Sequence, residues 1–387
     1  MMLEKSQAIA AQLVEWRRDF HRHPEGGFRE HRTAQRVAET LQALGYRVRS
    51  GVGRTGVVGD LGEGAPLVAV RADMDALPIV EANDVPYASQ NPGWMHACGH
   101  DSHTAMALGA ARLLAGVDLP GTVRFLFQPS EEANDAEGMS GAPRMIEDGA
   151  MEGVERVLAL HVDPATPVGQ ICLRVGPASG GVDSWFATIR GEGGHGSAPH
   201  KTVDPIYLCG HVILAINGVI SRRLDPFAPA VLSIGSLRAG QAENVIPDQV
   251  ELNGTIRYMD PEIQKVVHAE LERAFELART LGGDYNLRIE VGTPPMINDA
   301  GVVKLIESVA GDLLGAENVL LQPDGLGAED FGCFSEIAPG AMFSLGSQIE
   351  GDPRLAHNPR FDIDERCLPI GTAILAESVL RIMRGER

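Results

Sequence analysis

The sequence predicts an α/β protein, a mainly parallel sheet flanked by helices, with a smaller ferredoxin-like α+β unit inserted into it. Three observations carry this expectation. Helical and strand patterns alternate through the first 176 residues. Between residues 177 and 292 the order changes to strand, helix, strand, strand, helix, strand. The chain has 387 residues, beyond the ~250 at which single cores stop growing. The expected organisation is a discontinuous main domain, 1–176 plus 293–387, and an inserted unit, 177–292.

Apolar residues at three- and four-residue spacing predict amphipathic helices near residues 4–20 and 31–44. The runs Val57–Leu61, Leu67–Arg71, Thr122–Phe127 and Arg156–Val162 read as strands, with a helix over Asp101–Leu114. The inserted unit supplies strand Asp183–Arg190, helix Val203–Arg222, strands Val231–Leu237 and Gln249–Tyr258, helix Pro261–Leu281 and strand Asn286–Val291. The helical period resumes at Val302–Leu314 and closes with Pro369–Met383. Gly51–Gly56 fits the G-x-G-x-x-G of dinucleotide sites, but a strand pattern follows where a helix is required. It reads as a turn between strands, which removes the only support for a nicotinamide oxidoreductase.

Composition narrows the function classes. A net charge of −19 repels phosphate backbones and anionic membranes, so nucleic acid and membrane partners are not expected. The N-terminal stretch lacks the basic start and apolar core of a signal peptide, and no run approaches ~20 uninterrupted apolar residues. Five scattered cysteines are an odd set that argues against a disulfide framework and for a reducing, cytoplasmic setting.

In an open α/β sheet, ligands gather at the carboxyl ends of strands, so the polar residues there are the ones to inspect. His96-Ala97-Cys98-Gly99-His100-Asp101-Ser102-His103 packs three histidines and a cysteine into a turn before a helix. Thiolate and imidazole both suit zinc-like ions, whereas the plainer reading is a polar helix cap. Glu131 and Glu132 follow an apolar strand; adjacent carboxylates in an extended turn diverge, so one can ligate while the other takes a proton from water. Without that strand the pair would read as a solvated acidic loop. His161 ends another apolar strand, and His357 lies in a late loop; each alone would pass as structural. Together Cys98, His100, Glu132, His161 and His357 supply five donors, enough for two divalent ions if one, expected to be Cys98, bridges them. Glu131 is then the general base. Asp73 and Asp75 end the strand Leu67–Arg71, where either can fix the tautomer of a ligand imidazole; their alternative is a pair of turn aspartates.

These motifs, with Phe20-His21-Arg22-His23-Pro24-Glu25, Arg71-Ala72-Asp73-Met74-Asp75, Gln128-Pro129-Ser130-Glu131-Glu132, Pro199-His200, Asp204-Pro205 and Gly327-Ala328-Glu329-Asp330-Phe331, cover nearly the whole chain. They resemble the aminoacylase/carboxypeptidase superfamily of two-metal hydrolases, within it the hippurate hydrolase and indole-acetyl amino acid hydrolase branch.

The resemblance implies the same five metal ligands and the same base, with zinc or manganese, or cobalt or nickel according to supply. It implies hydrolysis of N-acyl-L-amino acids to a carboxylic acid and an amino acid, with a carboxypeptidase or dipeptidase, and a non-catalytic metal-binding relative, as alternatives. It further implies that the inserted unit makes a homodimer or a dimer-based oligomer. His195 is then the oxyanion-stabilising residue, which the partner subunit can supply, while Asn244 and Arg257 bind the substrate carboxylate, a task suited to the guanidinium fork. From the residues alone, these three read as a glycine-loop residue, a turn former and an exposed strand charge. Two departures, Gly196-Ser197 after His195 and Leu326-Gly327-Ala328 before Glu329, remove no ligand and bear on substrate preference.

Overall fold

Eight strands form one sheet in the order Arg47–Val52, Gly56–Gly62, Thr122–Gln128, Leu67–Asp73, Arg156–Pro167, Gly340–Gln348, Ile171–Leu173, Val319–Leu321, in a computed structural model that describes all residues but 322–324, 353 and 387. The pairings from Thr122–Gln128 through Gly340–Gln348 are parallel, and the hairpin of Arg47–Val52 and Gly56–Gly62 adds an antiparallel edge. Leu67–Asp73 and Thr122–Gln128 are buried along almost their whole length, as a parallel strand with both faces covered requires. Gly51–Gly56 is the tip of that edge hairpin, with Val52 paired to Gly56.

The central helix His100–Ala115 is buried on nearly every side, packed against strand Leu67–Asp73 and helices Ala10–Arg22 and Leu368–Met383. Its apolar and small residues join those strands in the larger core, with Leu108, Phe125, Leu160 and Phe343 all buried. Three expectations need correction. The first helix is interrupted, as Met2–Gln7 and Ala10–Arg22. The strand Gly340–Gln348 was not expected, because its glycines and serines mask the apolar run that its neighbours enclose. His161 does not end its strand, which continues to Pro167 by pairing with Gln348.

The chain forms two compact units: Met1–Ala178 with Ile297–Asp324 and Asp330–Arg387, and Ser179–Met296 with Gly325–Glu329. The stretch 325–329, which the sequence groups with the main domain, joins the second unit, where Gly180 N donates to Gly327 O at 2.8 Å.

In the second unit an antiparallel sheet runs Ala230–Ala239, Gln249–Tyr258, Gly181–Arg190, Asp284–Val291. Its first strand in sequence lies between the third and fourth, the ferredoxin-like order. Alternate residues Trp185, Ala187 and Ile189 pack under helices Pro205–Arg223 and Pro261–Thr280. Each helix starts at an Asp-Pro pair, with Asp204 and Asp260 accepting the N–H of Ile206 and Glu262. Pro205–Arg223 is long and apolar enough by composition to cross a membrane, yet Leu208, Val212 and Ile216 are buried in this unit's core.

Candidate metal centre

The turn Met95–Gly99 delivers Cys98 and His100 to one point beside the strands Leu67–Asp73 and Arg156–Pro167. Gly99 sits at φ +97°, and a Cβ there would meet Val162 Cγ2 at 2.4 Å, so only glycine lets the turn pass so close. Cys98 Sγ lies 3.4 Å from His161 Nε2. His161 Nδ1 donates to Val162 O at 2.8 Å, which leaves Nε2 as the lone-pair nitrogen facing sulfur.

His100 is held the same way. Its Nδ1 lies 3.0 Å from Asp75 O and 3.1 Å from Asp75 Oδ1, so Nδ1 carries a proton; burial opposes a second one on Nε2, but Asp73 and then Cys98 favour it and hold the ring well above the ordinary imidazole range. That Nε2 is buried without a hydrogen-bond partner, 3.8 Å from Asp73 Oδ2, in surroundings that favour positive charge, which a divalent ion would supply in place of the proton. Glu132 Oε1 is also buried; it lies 2.9 Å from His357 Nε2, at angles outside hydrogen-bond geometry.

Two donor trios result. Cys98, His100 and His161 form one and Cys98, Glu132 and His357 the other, the ligand atoms of each lying within 4.8 Å of one another. Cys98 belongs to both, as a bridge between two ions requires. The five donors, with two imidazole lone pairs fixed by their own Nδ1 contacts, fit a pair of divalent ions. Glu131 shares a third group, with His100 and Glu132, so its carboxylate lies beside the two trios.

Of the two expected aspartates, Asp75 touches the candidate ligand His100, and its other oxygen accepts the Glu132 N–H at 3.0 Å. Asp73 serves a histidine to which the sequence assigns no role: its Oδ1 is 2.6 Å from His103 Nδ1, and His103 Nε2 accepts the Val162 N–H at 3.0 Å. Burial holds His103 down at about 4, so the ring is neutral and fixes the backbone next to His161. Burial opposes ionisation of Asp73, but the Arg71 guanidinium, then His100 and the hydrogen bond from His103, hold its carboxyl well below the usual carboxylate range. Arg71, itself buried, also bonds Gln128 at 2.7 Å and Asp330 at 2.9 Å, and Ser140 Oγ donates to Asp330 at 2.6 Å. The signal for this network was present in the sequence: Arg71 and Gln128 are polar residues at the ends of apolar strands.

The other expected residues lie in the second unit. His195 pairs with Val245, and Gly196 N donates to Asn244 O at 2.9 Å, so His195 and Asn244 are neighbours. Ser197 N donates to His195 Nδ1 at 3.1 Å, which places the His195 proton on Nε2. Arg257 is on the inner strand Gln249–Tyr258, paired with Val182 and Val231. It stands eight residues along from Gln249, roughly 27 Å at about 3.4 Å per residue, from the end of the strand near Asn244. The unit therefore brings His195 and Asn244 together but not Arg257.

A profile described as Peptidase family M20/M25/M40 matches residues 69–381. The chain is 38% identical to thermostable carboxypeptidase 2 of Saccharolobus solfataricus, over 98% of each. It is 36% identical to the N-acetyl-L-cysteine deacetylase of Bacillus subtilis, over 97% of this chain and 89% of that protein. Among solved structures, a dinuclear metal-binding M20-family peptidase of Bacillus subtilis superposes with a TM-score of 0.85 at 32% identity, covering 98% of this chain and 99% of that one.

Proposed function

This chain belongs to peptidase family M20/M25/M40, and from that premise we propose that it hydrolyses N-acyl-L-amino acids, hippurate-like substrates among them, to a carboxylic acid and an amino acid. It is a metal-dependent amidohydrolase of that family. The observation that carries the finer reading is the pair of donor trios sharing Cys98, with Glu131 beside them.

In this reading Cys98, His100, Glu132, His161 and His357 hold two divalent ions, zinc or manganese first, cobalt or nickel according to supply. The chemistry supplied by such a pair is to acidify water and polarise the scissile carbonyl. Glu131 accepts the proton that water loses and returns it to the departing amine. Asp75 keeps His100 in the tautomer that presents Nε2. His195 donates from Nε2 to the oxygen that gains charge, and Arg257 and Asn244 grip the substrate carboxylate.

Those last three cannot serve one amino-acid-sized substrate from a single copy of the second unit, given the distance along the strand. That separation supports a homodimer in which His195 and Asn244 of one protomer complete the partner's site. The exposed Tyr207 and Leu214 of helix Pro205–Arg223, with Leu237, which on the edge strand Ala230–Ala239 pairs with the core residue Leu252 and so points to the helix side, supply the apolar surface proposed for that contact.

A carboxypeptidase reading keeps the same site and changes only the acyl side of the amide; the 38% identical carboxypeptidase favours it. The deciding experiment is metal content by plasma mass spectrometry on wild type and Glu131→Gln, with hydrolysis of N-benzoyl- and N-acetyl-amino acids and dipeptides. About two metals per chain in both proteins, with activity lowered ~100-fold or more in the variant, is the expected result. Wild type that binds metal and cleaves none of these would point to a non-catalytic relative, and cleavage of dipeptides alone to the carboxypeptidase.

A further inference from the structure

Glu30 is a fully buried carboxylate to which the proposed chemistry gives no task. It stands at the start of helix His31–Ala43, yet it does not cap that helix; Glu25 does, accepting the N–H groups of Arg32 and Thr33 at 3.0 and 2.8 Å. Glu30 points its two oxygens elsewhere. Oε1 accepts from Phe28 N at 3.0 Å and from Ser130 N at 2.8 Å, and Oε2 accepts from the Thr55 hydroxyl.

Ser130 is where this matters. It is buried, immediately precedes Glu131 and Glu132, and has φ +46°, the left-handed region that a residue with a Cβ enters only when its surroundings over-determine it. Three further bonds share that duty. Ser130 O accepts from Gly141 N at 2.9 Å, Ser130 Oγ donates to Ala133 O at 2.7 Å, and Asp75 takes Glu132 N. Without Glu30 the Ser130 N–H is a buried donor with no acceptor, and relaxing φ to an ordinary value would redirect the peptide that carries Glu131.

We propose that Glu30 is a positioning residue for Glu131 and Glu132: by accepting the Ser130 N–H it locks the left-handed turn from which the two carboxylates diverge. The inference rests on reading Glu131 as the base and Glu132 as a ligand. Glu30 and Asp75 thus grip the turn from either side, one through residue 130 and the other through residue 132.

A neutral side chain of the same shape can do this work. Burial pushes the Glu30 carboxyl up to about 7, so its neutral form is well populated in the native protein, and a Gln amide offers the same oxygen to Ser130 and Phe28 and its NH2 to Thr55. An aspartate keeps the charge but falls one methylene short of Ser130. A purely structural brace of the hairpin at Thr55 would respond differently, since that bond uses the other oxygen.

The test compares Glu30→Ala, Glu30→Asp, Glu30→Gln, Thr55→Val and Glu131→Gln by kcat and KM on an N-acetyl amino acid and by zinc affinity in chelator competition. Glu30→Ala and Glu30→Asp should lower kcat ~100-fold with KM within about threefold, the size expected for an ångström-scale displacement of a reacting group. Both should weaken zinc binding ~10-fold or more through Glu132. Glu30→Gln should stay within about threefold of wild type in kcat and zinc affinity, the tolerance expected where the hydrogen-bonding shape is kept. Thr55→Val should retain wild-type kcat. If Glu30→Ala does not fold, Glu30→Asp and Glu30→Gln carry the comparison. Wild-type kcat in Glu30→Asp, or Thr55→Val matching Glu30→Ala, overturns the proposal. An active Glu131→Gln would overturn the base reading instead, with the zinc affinities still deciding whether Glu30 places Glu132.

Discussion

Asp75 joins two candidate ligands through one carboxyl group: Oδ2 accepts the backbone N–H of Glu132 at 3.0 Å while Oδ1 lies 3.1 Å from His100 Nδ1. The same buried side chain therefore holds the backbone of one ligand and shares the Nδ1 of the other with its own backbone carbonyl, 3.0 Å away.

Asp75→Ala removes the carboxyl: the Glu132 N–H is left buried without that acceptor, and the imidazole keeps only the backbone carbonyl of residue 75, 3.0 Å from its Nδ1. Zinc affinity in the Ala variant should fall about 10- to 100-fold, the usual consequence of losing the outer partner of a ligating histidine. Asp75→Asn keeps one acceptor oxygen and should fall in between. Chelator competition measures both, and wild-type affinity in Asp75→Ala would show that the backbone carbonyl of residue 75 orients His100 without help from the carboxyl.

The ligand side chains predict a proton count. Burial pushes the Cys98 thiol well above its ordinary range, and the adjacent Glu132 carboxylate raises His357. Before a cation binds, Cys98 is a thiol and His357 carries a proton over part of the neutral range. A cation needs thiolate and neutral imidazole, so its binding must release about one proton or more per chain. For His357 the folded pKa lies above the ~6.5 of free imidazole, so the competing proton is present below that pKa and lost above it. Affinity should therefore rise with pH across that midpoint. Calorimetry in two buffers of different ionisation enthalpy reads the released protons; identical heats in both would refute the thiol and imidazolium assignment.

The parallel sheet was legible because its strands are continuous apolar runs, and the candidate ligands were legible because Glu132 closely follows one such run while Cys98 and His100 share a short turn before a helix with two more histidines. Partner choice was not. Asp73 and Asp75 are two apart on one extended segment, and nothing local says that Asp73 meets His103 while Asp75 meets His100; that depends on where helix His100–Ala115 lies across the strand end. Glu30 was invisible for a related reason, being separated from Ser130 by a hundred residues. The strand Gly340–Gln348 escaped notice because its small residues fit a crowded sheet centre, where a Cβ at Gly340 would meet Val157 Cγ1 at 2.5 Å.

The last prediction concerns the charge network behind the site. Arg17 is buried, with Nε 2.9 Å from Asp101, Nη2 2.7 Å from Asp362 and Nη1 3.3 Å from Glu365. Asp101 directly follows His100, so this guanidinium ties helix Ala10–Arg22 to the start of the helix that carries a candidate ligand. Burial opposes ionisation of Asp101 and Asp362, but Arg17 outweighs it and holds both below the ordinary carboxylate range. Arg17→Met keeps most of the volume and strands the carboxylates, which should cost about 3–5 kcal/mol in urea unfolding. The pH dependence identifies the cause. A depressed carboxylate contributes stability above its unfolded pKa and loses it as pH falls through the folded one, whereas the stranded carboxylates of the variant relieve their burial by taking up protons. The gap between wild type and variant should thus be widest near neutrality and narrow as pH drops toward ~4. A gap of constant size would assign the loss to packing of the Arg17 side chain rather than to its ion pairs.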